Sequence, residues 1–181
     1  MPISGDVYKQ LGRAAARPVS VLLAFDGAND RVVGLTVSSF ATLSLDPPLV
    51  MVAIERDADS YAALVSSHAF GVSVLHAGQA ALAALFATKG PSKIDNTSLE
   101  AGDLLHVPLI PGALAHVECI TTRIVVSGDH ALLIGSVEAA RTTGRQALLY
   151  QARRYGTFTP LESSDALALP NRARAEELTL R

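Results

Sequence analysis

Apolar, β-branched runs of strand length recur along this chain, and turn residues stand between them. "RPVSVLLAFD" (17–26) and "RVVGLTVSSF" (31–40) flank the turn formers "GAND", so the pair reads as a β-hairpin. Pro47 and Pro48 fix the entry into "LVMVAIE" (49–55), and "HAFGVSVLH" (68–76) is a further strand. Residues 113–143 form a long hairpin that turns at Gly128-Asp129, and "QALLYQARRYGTFTP" (146–160) gives a last strand followed by a bend. Helical spacing is confined to short pieces. These are Val7, Leu11, Ala14 and Ala15 near the start, "DADSYAALVSS" (57–67) with Asp57, Asp59 or Ser60 as its cap, and "GQAALAALFATKG" (78–90), closed by Gly90 and Pro91. Residues 92–112 read as irregular. Hairpin-linked strands with few helices imply a mainly β fold, a closed antiparallel barrel with short helical inserts. We expect one domain over residues 1–160 and a C-terminal tail over 161–181.

Composition narrows the function classes. Apolar residues make up 49% and charged residues 18%, with a mean hydropathy of +0.31. No apolar run approaches the ~20 residues of a membrane helix, so the surplus implies a subunit interface, and we expect an oligomer, which the family resemblance given below narrows to a homodimer, and no membrane association. A net charge of -2 without a basic, aromatic-interleaved stripe speaks against nucleic acid. The N-terminus lacks a charged region followed by a long apolar one, and the single cysteine, Cys119, has no partner for an internal disulfide. Both features suit a reducing, cytoplasmic setting. His68, His76, His106, His116 and His130 are scattered without metal-ligand spacing, so no metal is expected. Cys119 sits within an apolar-alternating strand and reads as a small core residue, not a nucleophile. Neither common nucleotide fingerprint nor a G-x-S-x-G elbow is present.

Two constellations carry chemistry. "GLTVSSFATLSLDPPLVMVAI" (34–54) holds five hydroxyls, at Thr36, Ser38, Ser39, Thr42 and Ser44, where a strand that only fills a core needs none. Backbone N–H groups and hydroxyl donors around its bend suit an anion or the polar edge of a heterocycle, although a Ser/Thr-rich edge strand with no ligand has the same composition. Gly128-Asp129-His130 places a histidine at a hairpin turn, where structural histidines are also common.

The order of the motifs resembles the flavin reductase-like family, whose domain is an FMN-binding split barrel. Gly34, Thr36, Ser38, Ser39 and Phe40, then Ser44, Asp46, Pro47, Pro48 and Leu49, match its leading pattern. "FGVSVL" (70–75), "LAALFA" (82–87), "GALAHVEC" (112–119), "SGDHALLIGSV" (127–137) and "LLYQARRYG" (148–156) follow in the family's sequence. The resemblance implies that Thr36, Val37, Ser38 and Ser39 lie along a flavin, FMN or FAD, with Ser44 beside them. It implies that Lys89 and Lys93 offer cationic help to the phosphate and that Tyr155, with Arg154, borders the pocket. It implies that Gly128, Asp129 and His130 bind the nicotinamide of NADH or NADPH. The activity implied is NAD(P)H:flavin oxidoreduction with no obligatory acid or base side chain, supplying reduced flavin to a partner monooxygenase. A non-catalytic flavin- or haem-binding protein on the same barrel is the alternative, and a pyridoxamine-phosphate-oxidase-like enzyme a further one, against which the Asp46-Pro47-Pro48 segment argues.

Overall fold

The structure, a computed structural model, describes residues 3–29 and 31–161. The expected tail falls outside these residues except for Leu161. The first helix, α1 (Gly5–Ala14), is capped by the Ser4 hydroxyl, which accepts from the Val7 N–H, and none of its residues is buried. Strands β1 (Arg17–Pro18), β2 (Ser20–Asp26), β3 (Arg31–Val37), β4 (Ala41–Ser44) and β5 (Leu49–Glu55) follow. The β2–β3 hairpin pairs Ser20 with Val37 through to Asp26 with Arg31, as the turn chemistry predicts. Asp26 closes that turn by accepting from the Ala28 N–H and the Asn29 side chain.

Next come α2 (Tyr61–Ser66), β6 (Ala69–Val74), α3 (Ala80–Phe86) and α4 (Ser92–Asp95), then β7 (Glu100–Ala101) and β8 (Pro108–Leu109). The long hairpin is β9 (Ala115–Ser127) and β10 (His130–Thr142), and β11 (Leu149–Gln151) and β12 (Arg154–Gly156) end the described fold. Seven strands form one antiparallel sheet in the order β3-β2-β6-β9-β10-β5-β4. The fold is thus mainly β. By backbone bonding β3 and β4 are the ends of that order, and the Ser39 hydroxyl, just beyond β3, both donates to the Ala53 carbonyl and accepts from the Ala53 N–H on β5.

Alternation along β2 feeds two cores. Leu22 and Ala24 join Phe70, Val52, Ile54 and Leu133 on one face. Val21 and Leu23 join Phe86, Ala83, Ile110 and Leu148 under α3 on the other. Burial on both faces explains why "VLLA" (21–24) reads as a continuous apolar run, whereas Phe25 is exposed. Two glycines permit close approach. A Cβ on Gly34 would lie 2.5 Å from the Leu22 carbonyl oxygen and against the Leu23 side chain, and one on Gly135 would lie 2.5 Å from the Phe70 ring.

Two local expectations are corrected and a third is met in part. Residues 92–112 are not wholly irregular, since they contain α4 and the β7–β8 pair. The bend after the last strand is a hairpin: β11 and β12 pair across Ala152 and Arg153, at φ 49 and 65. Its two central residues adopt the left-handed region without a glycine, so the sequence lacks the usual turn signal. The cap of α2 is Ser60, which makes no side-chain capping bond, and Asp59 instead accepts from the Gly90 N–H at 2.8 Å. No helix among the described residues is long and apolar enough to cross a membrane.

Candidate functional site

The hydroxyl segment continues β3 toward β5, and its side chains divide their roles. The Thr36 hydroxyl donates to the Ala83 carbonyl of α3 at 2.7 Å, tying the helix to the strand. Ser39 takes both backbone groups of Ala53, at 2.8 and 3.0 Å. Val37 is buried in the core. Ser38, half-buried between these anchors, has no side-chain partner among the described residues. Two of the hydroxyls therefore hold the segment in place, and each retains an acceptor lone pair for a ligand.

A cavity of about 200 Å³ opens beside the start of this segment. Its walls include Arg31, Val32 and Gly34 from β3, Asp59 and Ser60 before α2, and Gly90, Lys93 and Ile94 around α4. Lys93 is only 6% exposed. Its Nζ donates to the Thr88 carbonyl at 2.8 Å, and no carboxylate among the described residues lies within 4 Å of it. Burial pushes its ammonium below the ordinary lysine range, and the charge of Asp59 only partly offsets this. The result is a buried cation at a cavity wall with N–H donors to spare. Lys89, by contrast, is exposed and does not line the cavity.

The second constellation lies at the tip of the β9–β10 hairpin. Gly128, at φ 61, makes the turn, and the Asp129 carboxylate meets His130 Nδ1 at 2.7 Å. The hydrogen bond and charge of His130 hold the Asp129 carboxyl below the usual carboxylate range. The His130 side chain is 44% exposed, so its ring is open to a ligand. β10 pairs with β5 from His130↔Glu55 onward, which brings Arg56 to the turn. The Arg56 N–H donates to the Asp129 carbonyl at 2.9 Å, and its Nη1 to the Gly128 carbonyl at 3.4 Å. Sequence reasoning missed Arg56, because only the long-range pairing of β5 with β10 makes it a neighbour of the turn.

The other expected residues lie apart. Ser44 lines a separate apolar groove of about 480 Å³ with Leu43, Leu45, Pro48 and Val137. Tyr155 packs on Tyr150 within the β11–β12 hairpin, ring centroids 5.3 Å apart, and burial beside Tyr150 raises its phenol. Cys119 is fully buried and its thiol is pushed up to about 12 by burial and by Glu138 and Glu118, which leaves no thiolate for nucleophilic chemistry near neutrality. Among the described residues no group of three or more His, Cys, Asp or Glu side chains is placed to hold a metal ion.

Known proteins resemble this chain in sequence and in fold. A family model described as flavin reductase like domain matches residues 11–159. An NADH:riboflavin 5'-phosphate oxidoreductase of Streptomyces pristinaespiralis is 37% identical over 147 residues, 80% of this chain and 83% of that protein. The solved NADH:FAD oxidoreductase of Streptomyces globisporus, in complex with NAD and FAD fragments, superposes with a TM-score of 0.78 at 32% identity, covering 88% of this chain and 98% of that one. The styrene monooxygenase flavin reductase of Pseudomonas putida gives a TM-score of 0.76 at 32% identity, over 84% and 98%.

Proposed function

The chain belongs to the flavin reductase-like family, and from that premise we propose that it catalyses NADH-dependent reduction of a flavin and passes the reduced flavin to a flavin-dependent monooxygenase. When bound, the flavin supplies the redox chemistry, accepting hydride from the nicotinamide. The observation that carries the reading is the buried Lys93 at the wall of a cavity that also includes Gly34, where the hydroxyl segment begins. A flavin phosphate provides the anion that this cation lacks, so the residues present fit a flavin nucleotide.

The chain's own groups then have distinct tasks. Lys93 binds the phosphate, and exposed Lys89 adds only a weak, solvent-screened attraction. Thr36, through Ala83, and Ser39, through Ala53, hold the β3 extension, so that Ser38 and the backbone at Val37 meet the polar edge of the flavin. His130, oriented by Asp129 on the Gly128 turn, holds the nicotinamide end of the hydride donor. Catalysis would rest on these residues holding the two ligands against each other, with no side chain required as acid or base. Ser44 and Tyr155 join the site only if its rim extends to the groove and the β11–β12 hairpin.

We read the sheet as a split barrel closed between β3 and β5 through the Ser39 hydroxyl, as a single domain over residues 1–160, and the chain as working in a reducing cytoplasm. The purified protein is expected to oxidise NADH when FMN, FAD or riboflavin is added, with a steady-state preference among the three. Tight flavin binding with no NADH oxidation would overturn the enzymatic reading and leave a flavin carrier.

A homodimer is part of the proposal. Leu45 is 92% exposed and Leu43 48%, both beside the apolar groove at the β4 end of the sheet, a surface that calls for cover by a second copy. Sedimentation is expected to give a dimer at micromolar concentration, and Leu45→Asp to shift it toward monomer. A stable wild-type monomer under these conditions counts decisively against it.

A further inference from the structure

We propose that Arg56 binds the phosphates of the reduced nicotinamide dinucleotide; the inference rests on the reading of Gly128–His130 as the nicotinamide site. Arg56 follows the last residue of β5, and its N–H bond to the Asp129 carbonyl, 2.9 Å, fixes where its side chain leaves the backbone. That bond is made by the main chain and survives any substitution except proline. The guanidinium therefore starts from a defined place at the rim of the turn.

It is also a cation without a countercharge among the described residues. Glu55 and Asp57 flank Arg56 in sequence, yet no carboxylate among the described residues lies within 4 Å of its guanidinium. The nearest acid on the turn, Asp129, is engaged with His130 Nδ1 at 2.7 Å. A guanidinium offers five N–H donors in a planar fork. One of them reaches the Gly128 carbonyl, at 3.4 Å and exposed to solvent, which is too long and too wet to be a staple. The remaining donors share the tip of the hairpin with the open ring of His130. A ligand that presents a planar carboxamide to His130 and a pyrophosphate beside it matches both groups, and bidentate recognition of phosphate oxygens is what the fork does best. The dinucleotide enters and leaves each turnover, so an exposed cation at the rim also raises its encounter rate.

The test uses the full chain as wild type, Arg56→Ala, Arg56→Lys and His130→Ala. NADH oxidation is followed at saturating flavin and at low and high ionic strength, alongside flavin titration and thermal unfolding. Arg56→Ala is expected to raise KM for NADH about tenfold, the cost of one charge-assisted contact. Its kcat, flavin affinity and melting temperature should stay near wild type, and the KM gap should narrow as salt rises. Arg56→Lys should recover part of the loss, since charge is kept and the fork is not. An unchanged KM in folded Arg56→Ala, with KM raised in His130→Ala, removes Arg56 from the site and leaves the reading of the turn intact. A fall in kcat or melting temperature at constant KM assigns Arg56 a structural role and overturns the proposal. Unchanged KM in both the Arg56 and His130 variants overturns the nicotinamide reading of the turn and the proposal with it.

Discussion

Replacing Glu118 with alanine is expected to destabilise the protein by roughly 3–5 kcal/mol and to lower its melting temperature by about 10 °C. Glu118 lies on β9 and is only 3% exposed. Its Oε1 accepts from the Asp103 N–H at 2.6 Å, its Oε2 from the Leu105 N–H at 2.6 Å, and both from the Leu104 N–H at 3.2 Å. One carboxylate thus satisfies three consecutive backbone donors of the loop between β7 and β8. Gly102 permits this, because a Cβ there would collide with the Glu118 carboxylate. The same loop is held from a second side. Arg141 donates from Nη1 to Asp103 at 2.8 Å and pairs with Glu100, while its Nε donates to His116 Nδ1 at 3.0 Å. His116 in turn sits 2.7 Å from the Ile110 carbonyl through Nε2, a pairing that requires Nε2 to carry the proton and leaves Nδ1 as the acceptor. Truncating Glu118 orphans three donors at once, and each unmet donor costs about 1–3 kcal/mol unless water replaces the partner. The exposed Glu138 nearby is the control, and Glu138→Gln should stay within about 0.5 kcal/mol of wild type. Chemical denaturation that finds Glu118→Ala as stable as Glu138→Gln would refute this account.

That loop also shows where the sequence stopped being legible. The hairpins could be read, because turn residues flank β-branched runs and the rule is local: β2–β3 and β9–β10 fall where Asp26 and Gly128-Asp129 put them. Residues 97–107 could not, because what orders them is a carboxylate on β9 and an arginine on β10, distant in sequence. His116 and Glu118 alternate with Val117 and Cys119, a pattern that ordinarily marks a wet face, yet both are 3% exposed beneath the loop. The β11–β12 turn was illegible for the opposite reason, its left-handed positions being filled by Ala152 and Arg153. The site was legible in part. The surplus of hydroxyls in the segment after Gly34 pointed to a special role, but composition does not tell which of them face a ligand. Thr36 and Ser39 spend their donors on the Ala83 and Ala53 carbonyls, so their first effect on substitution is on the shape of the segment. Lys93 was visible only as one of two lysines near a helix end, and burial separates it from Lys89.

Lys93→Met is therefore expected to weaken FMN binding about 30-fold while leaving riboflavin binding near wild type. Methionine keeps most of the side-chain length and removes the charge, so the cavity keeps its shape. The folded protein loses little by the change. The wild-type ammonium is buried, is pushed below its usual range by that burial, and has one bond to the Thr88 carbonyl and no ion pair among the described residues. Replacing a desolvated, only partly compensated cation with an apolar group is often neutral or stabilising. With FMN bound the balance reverses, because the phosphate supplies the countercharge in a site already stripped of water, where a charge-assisted bond is strongest. Riboflavin has the same ring and ribityl chain but no phosphate, so it isolates the charge from the rest of the contact. Lys89→Met, on the exposed side of the same turn, should change neither affinity by more than about twofold. The pH dependence has a definite sign. The charged form of Lys93 binds the anion, and its lowered range means that FMN affinity falls on the alkaline side at a lower pH than an ordinary lysine would give, whereas riboflavin affinity does not follow it. Titration of the three proteins with both ligands decides the matter: an equal loss for FMN and riboflavin in Lys93→Met would show that the residue shapes the pocket and does not bind the phosphate.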